Sequence, residues 1–349
     1  MFYAVRNLLL VTLVFLLGAS AFAQSSKKLD PDAGYLPTVA PEDKKKKKAE
    51  ETQVLALPPE LPMAVTADTG RLAFQVTPLS SKGLLSQQTR DALKGLVHSS
   101  RGTIVKLRAF VAGSGDLRRV GEIAGEMFQE KHMPLPVLTV VQVGALPLEG
   151  AQIEIEATVE ERKTVNPDGL VFMAARPAPT VSESLSKLKA VSSDVLMVTC
   201  FVSSLEQQRD VTAAMSAAFP GAALDYVQMQ RASVTPAASC EAVARAAKPG
   251  SPGQIVITGT QLAFGNQDSD LTLAFERIDK ALAARGARPS DVVLTHLYVT
   301  SAALSGRVEA LEPTSGLRSV IPVEGLPSLD SAFGLEVLAA PATTVKQAP

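Results

Sequence analysis

Apolar and polar positions along this chain fall into three blocks that share one order of elements. The clearest markers are three short apolar strands, Thr103-Ile-Val-Lys-Leu-Arg-Ala-Phe-Val111, Asp194-Val-Leu-Met-Val-Thr-Cys-Phe-Val202 and Asp291-Val-Val-Leu-Thr-His-Leu-Tyr-Val299. They recur at intervals of roughly 90 to 100 residues, the signature of an internal repeat. In the first block a strand over 71–76 precedes a helix over 87–98, on which Ala92, Leu93, Leu96 and Val97 share a face. After the strand at 103–111 comes a helix over 116–131, with Val120, Ile123, Ala124, Met127 and Phe128 spaced at the helical period. Strands at 138–144 and 152–159 close the block, the second by strict alternation of Ile153, Ile155, Ala157 and Val159.

The second block repeats this order with strands at 169–173, 194–202, 224–230 and 239–244 and helices at 181–191 and 205–218. The third has strands at 254–259, 291–299, 318–323 and 332–338, a long helix over 271–285 and a shortened one over 304–311. The pattern predicts an α+β fold, β-α-β-α-β-β three times, with helices on one face of each sheet. The other sheet face also carries apolar residues, and side-by-side association of the repeats is the way to bury it. The expected domains are residues 66–163, 164–247 and 248–341, the second degenerate.

Ahead of these blocks, Arg6, an apolar run from Leu8 to Leu17 and Ala21-Phe22-Ala23 form a signal peptide over residues 1–23. An uncleaved anchor is the other reading, although the run is shorter than the ~20 residues a spanning helix needs. The expected destination is the periplasm or the exterior. Residues 24–65 lack apolar periodicity and read as a disordered tether. Their lysine run, Lys44 to Lys48, reads as a solvated linker because Glu42, Asp43, Glu50 and Glu51 flank it; contact with an anionic surface is the alternative. Residues 342–349 form a tail.

Charge and composition exclude several classes. Lys and Arg number 34 against 35 Asp and Glu, and Trp is absent, which argues against nucleic-acid binding. His98 and His132 sit at helix ends and His296 lies mid-strand, beside Leu294 and Tyr298, as a core or interface histidine. No cluster has metal-ligand spacing, and no cofactor is expected. Gly113-Ser-Gly115 and Gly250-Ser-Pro-Gly253 lack phosphate-loop spacing and read as turns. Cys200 and Cys240 lie in apolar runs as small buried residues, with a disulfide permitted by export. Read alone, Arg318 is a solvated strand-start residue, and Glu154 and Glu156 form a solvated strand face.

The third block carries enough landmarks for a resemblance. Gln254-Ile-Val-Ile-Thr-Gly259, Ala283-Ala-Arg-Gly-Ala-Arg-Pro-Ser290, the strand at 291–299 and Gly316-Leu-Arg-Ser-Val-Ile-Pro-Val-Glu-Gly-Leu-Pro327 resemble the Rid (YjgF) family of enamine/imine deaminases. The first block resembles it through Gln88-Thr-Arg-Asp-Ala-Leu93, Val143-Gly-Ala-Leu-Pro147 and Ile153-Glu-Ile-Glu-Ala157, the second in order and spacing. The resemblance implies homotrimer-like packing of three covalently joined repeats, an intramolecular pseudo-trimer acting as a monomer, with ligand clefts at repeat boundaries. It also implies that the last strand pairs with the middle one, which would put Cys200 and Cys240 on neighbouring strands.

The family holds a substrate carboxylate with an Arg at the start of the penultimate strand and uses a Glu on the last strand to help place a water. By resemblance the substrate-binding residues are Arg318, Ser319 and Gly259, and the catalytic one is Glu154. No repeat has the whole set. The third has Gly334 at the Glu position, the first has Leu138 and Thr139 at the Arg-Ser position, and the second has Ala222 or Ala223 and Ser239. The family's N-terminal Pro-Tyr-Ser-Gln stretch is missing throughout. The expected function is binding of a small carboxylate, an imino or keto acid, with hydrolysis to keto acid and ammonia. A non-catalytic binding or scaffold protein with decayed sites is the alternative.

Overall fold

The computed structural model describes residues 57–188, 194–206, 208–231, 237–248, 253–311 and 316–341. The leader, the tether up to residue 56 with its lysine run, and the tail at 342–349 lie outside the described residues. No helix among the described residues is long and apolar enough to cross a membrane.

A strand β1 (Ala64–Asp68) comes first. The first repeat then runs β2 (Leu72–Val76), α1 (Leu85–Ser99), β3 (Gly102–Ala112), α2 (Arg118–Glu130), β4 (Val137–Val143) and β5 (Ile153–Glu161). Helix α2 forms where Val120, Ile123, Ala124, Met127 and Phe128 recur on one face, and these residues are buried against the sheet with Leu93 and Leu96 of α1. Burying Phe128 alone contributes roughly 1.5–3 kcal/mol.

The second repeat runs β6 (Leu170–Ala178), α3 (Val181–Ser186), β7 (Val195–Val202), α4 (Gln208–Ala218), β8 (Ala223–Gln228) and β9 (Ala238–Arg245). The third has β10 (Gln254–Thr258), β11 (Gln261–Phe264), α5 (Asp268–Ala283), β12 (Val292–Val299), α6 (Ala302–Leu311), β13 (Leu317–Pro322) and β14 (Ser331–Ala339). Helix α5 begins three residues earlier than its apolar period suggests, because Gln267 and Asp270 form a capping box there.

The three sheets share one topology: β2-β5-β3-β4, β6-β9-β7-β8 and β10-β14-β12-β13. In each, the middle strand pairs antiparallel with the last and parallel with the penultimate one. The α+β repeat read from alternation is therefore the architecture. Two features were not expected. The short β11 lies along β14, and β1, from ahead of the first repeat, pairs antiparallel with β10 of the third sheet.

Each helix layer covers one face of its own sheet, giving three separate helix-side cores. The opposite faces meet one another. Phe110, Phe201 and Tyr298, at equivalent positions on the three middle strands, join in one apolar cluster, and Val105, Leu170, Ile255 and Leu294 belong to a second that again draws on all three sheets. The boundaries close in a ring: β2 packs on β8, β6 on β13 and β10 on β4. Gly144 N–H donates to Gln228 O at 2.9 Å, Gln142 N–H to Gly325 O at 2.8 Å, and Gln230 Nε2 to Val323 O at 2.8 Å, so all three repeats are stitched at one end.

Cys200 and Cys240, directly opposite each other on β7 and β9, form a disulfide buried in the second helix-side core. It closes a loop of sequence separation 40. Loop-closure entropy at that length predicts that the Cys200→Ser/Cys240→Ser double variant loses about 4 kcal/mol, measurable as a lower urea midpoint. An unchanged midpoint would remove the disulfide from the stabilising interactions of this repeat.

Candidate functional site

Strand register fixes which residues of the three repeats are equivalent. Arg108 lies opposite Glu156, Thr199 opposite Glu241, and His296 opposite Glu336. In the parallel pairs, Arg108 lies beside Thr139, Thr199 beside Asp225, and His296 beside Ser319. The position just before these on the penultimate strand is therefore Leu138, Leu224 and Arg318. This corrects the sequence alignment of the second repeat: Leu224, not Ala222 or Ala223, stands at the Arg position. Two strand positions from each Glu, the acidic site holds Glu154, Ser239 and Gly334.

The expected site residues do not converge. Glu154 is buried between the first and second repeats, sharing a hydrogen bond with Asp225. Arg318 is exposed between the second and third, where its Nη1 donates to Glu309 O at 3.3 Å. Ser319 beside it is buried, and its Oγ accepts the Ala175 N–H at 2.8 Å. Gly259 lies at the third boundary, between the third and first repeats, against Leu138: a Cβ there would stand 2.9 Å from Leu138 O, so glycine permits the close approach. Gly259 and Arg318 thus lie at different boundaries, and each boundary holds one element of the set.

The inner faces bring together a different group. Sequence alternation made Glu154 and Glu156 a solvated face, but both are buried, because that face points to the centre of the ring. Lys106 Nζ donates to Glu336 Oε1 at 2.7 Å, and Tyr298 OH donates to the same oxygen at 3.1 Å. Thr139 Oγ1 donates to Glu336 Oε2. Arg108 donates through Nε to Glu156, and its Nη2 reaches Glu241 Oε1 at 2.7 Å and Thr199 Oγ1 at 3.2 Å. Thr199 Oγ1 in turn donates to Glu156. His296 bridges two repeats, with Nε2 3.0 Å from Glu241 Oε2 and Nδ1 3.0 Å from Glu336 Oε1.

This polar layer lies between the two apolar clusters, since successive inward positions on a strand step along the central axis. Its electrostatics are set by burial working against close partners. Burial raises the Glu241 carboxyl, but His296 and Arg108 hold it at about 2. Glu336 is likewise held well below the ordinary range by Lys106 and His296 despite burial. Burial lowers His296, yet Glu241 and Glu336 bring its pKa above the usual value. Three carboxylates, Glu156, Glu241 and Glu336, thus face three cations, Lys106, Arg108 and His296.

The Glu154–Asp225 pair is different. Burial pushes Glu154 up to about 7, with the Asp225 hydrogen bond opposing and the Glu156 charge adding to the rise. Asp225 is raised well above its usual value by burial and then by the Glu154 and Glu156 charges. One proton held between two carboxyls explains both.

Lys106, Arg108, Glu156, Glu241 and Glu336 were not picked out from the sequence as a site. The signal was present: all three last strands carry a Glu at one register position. Among the described residues no group of His, Cys, Asp and Glu has the arrangement to hold a metal ion.

Residues 63–161 match the family model described as endoribonuclease L-PSP. A member of the YjgF/YER057c/UK114 family from Mycobacterium tuberculosis is 24% identical over 26% of this chain and 80% of its own, with a TM-score of 0.24. A putative endoribonuclease from Thermotoga maritima is 20% identical over 25% of this chain and 80% of its own, with a TM-score of 0.24. E. coli TdcF, solved with bound serine, is 16% identical over 25% of this chain and 81% of its own, also at 0.24. No curated protein matches the chain.

Proposed function

We propose, for a chain whose residues 63–161 form a domain of the endoribonuclease L-PSP (Rid, YjgF) family, that it binds a small carboxylate without hydrolysing it. The observation that carries this reading is the distribution of the inherited elements: Glu154, Arg318 with Ser319, and Gly259 fall at three different boundaries. Imine hydrolysis needs the carboxylate clamp and the water-placing acid within reach of one substrate, because a positioned base acts only across hydrogen-bond distance. Binding needs only the clamp. Arg318 supplies the planar donor fork that matches a carboxylate, as in a 2-oxo or 2-imino acid.

In this reading the protein is exported through residues 1–23 and works as a monomer in the periplasm or outside the cell. The repeats at the other two boundaries support the one that keeps Arg318. The deaminase reading makes the opposite prediction for one assay. With 2-iminopropionate generated in situ, ammonia release in the presence of this protein is expected to equal the buffer rate. Pyruvate is expected to raise the melting temperature of the wild type and not of Arg318→Ala. Acceleration by the wild type that Arg318→Ala loses would establish hydrolysis instead.

A further inference from the structure

One step along the inner faces from the polar layer, the equivalent positions on the middle strands are Lys106, Met197 and Leu294, each two residues before Arg108, Thr199 and His296. A cavity of about 70 Å³ lies there, lined by all three repeats. Its walls include Phe74, Phe172 and Ile257, which hold equivalent positions on the first strands opposite Thr158, Val243 and Leu338. Its floor is Lys106 with Arg108, Glu241 and His296. Phe74, Thr158, Phe172 and Val243 are only half-buried and form its mouth.

Symmetry is broken at one point that matters for a ligand. Of the ring Lys106, Met197 and Leu294, one member carries a charge. An ammonium has three N–H donors, and Lys106 directs one to Glu336 while keeping 11% side-chain exposure in the cavity it lines. A donor at the floor of an apolar cup calls for a ligand with one acceptor and an apolar body.

The charge on that acceptor follows from the floor. Lys106, Arg108 and His296 are already balanced by Glu156, Glu241 and Glu336, and the Glu154–Asp225 pair lies beyond them. An added anion would enter an apolar enclosure with no uncompensated cation, which is unfavourable; a neutral oxygen meets no such penalty. A cavity of this size accommodates roughly five water-sized groups. We infer that the axial cavity is a binding site for a compact, uncharged molecule, a branched apolar body bearing one carbonyl or hydroxyl oxygen, held by Lys106.

Isobutyramide and isobutyrate, nearly equal in shape and different in charge, test this by ligand-observed NMR titration of the intact protein. Saturable binding of isobutyramide is expected, and in Arg318→Ala, which lacks the carboxylate clamp, isobutyrate is expected to bind at least about tenfold more weakly than the amide. Lys106→Met, which installs the residue of the second repeat and leaves Glu336 with Thr139, Tyr298 and His296, is expected to weaken the amide about tenfold, the scale of one hydrogen bond from a charged donor. Val243→Trp closes the mouth from a half-exposed position and is expected to abolish binding even if Lys106→Met does not fold. Arg318→Ala, at an outer boundary, is expected to bind the amide as the wild type does, so this site stands or falls apart from the carboxylate clamp. Absence of amide saturation in the wild type, tighter binding of isobutyrate than of the amide in Arg318→Ala, or undiminished amide binding in Val243→Trp would overturn the assignment.

Discussion

Glu336→Ala is expected to lower the stability of the protein by about 3–5 kcal/mol, the cost of leaving buried charges without their partner. Glu336 takes Lys106 and Thr139 from the first repeat and Tyr298 and His296 from its own, so one truncation strands two cations and cuts one of the ties between the first and last repeats. Thermal unfolding followed by circular dichroism should show a fall on the order of 10 °C. Glu336→Gln keeps the volume, accepts the Tyr298 O–H through its one carbonyl oxygen and turns its amide N–H toward the Thr139 hydroxyl, but drops the charge, and should fall between Glu336→Ala and the wild type. A melting temperature for Glu336→Ala within a degree of wild type would show that the polar layer contributes nothing net. The expectation concerns breaking the network; exchanging the entire layer for apolar side chains is a different experiment with a different sign.

The second large effect is an unusual pH profile, with greatest stability near pH 5 and losses on both sides. Glu154, at about 7 in the folded protein, binds its proton more tightly than in the unfolded chain, where an ordinary glutamate titrates near ~4.3. The folded state therefore carries more protons between these values, and stability falls as pH rises through that window. Asp225, also raised, acts in the same direction, and His296, raised above its ordinary value, extends the loss to higher pH. Glu241, held at about 2, and Glu336, also lowered, have the opposite sign: their contribution is present above the ordinary carboxylate value and is lost as pH falls toward 2.

Melting temperatures from pH 3 to 9 should trace this maximum, and Glu154→Gln should flatten the arm between pH 5 and 7. At pH 8 that variant should melt higher than wild type, on the order of 5 °C, because the amide ends the carboxyl repulsion. A wild-type profile that climbs steadily from pH 5 to 8 would contradict the shared-proton pair.

What alternation makes legible here is element order. The helix-side face of β5 is legible in sequence, since Ile153, Ile155, Ala157 and Val159 specify that side whatever covers the other. What covers the other side is not local information. Glu154 and Glu156 alternate in the same way whether they meet water or the centre of a ring, and only the ring geometry distinguishes the two. The same limit explains the dispersed site. The identities at Arg318, Glu154 and Gly259 were readable, but which boundary each faces depends on how one repeat docks on the next. Register, too, needs the partner strand: the sequence offers Ala222 or Ala223, and only the pairing of Leu224 with Val198 moves the position to Leu224.

The pairing of β1 with β10 has a consequence for the order in which the chain can be made. Ala64 lies opposite Thr258 and Asp68 opposite Gln254, so the first of the described strands to leave the ribosome has its partner in the last repeat. The first repeat can complete its own four strands as soon as Glu161 is available, yet β1 must wait, unpaired, through synthesis of the entire second repeat. During vectorial synthesis an exposed strand of this kind is a site for pairing with the wrong neighbour, and its late capture belongs to the slow, non-local contacts that set the pace of folding.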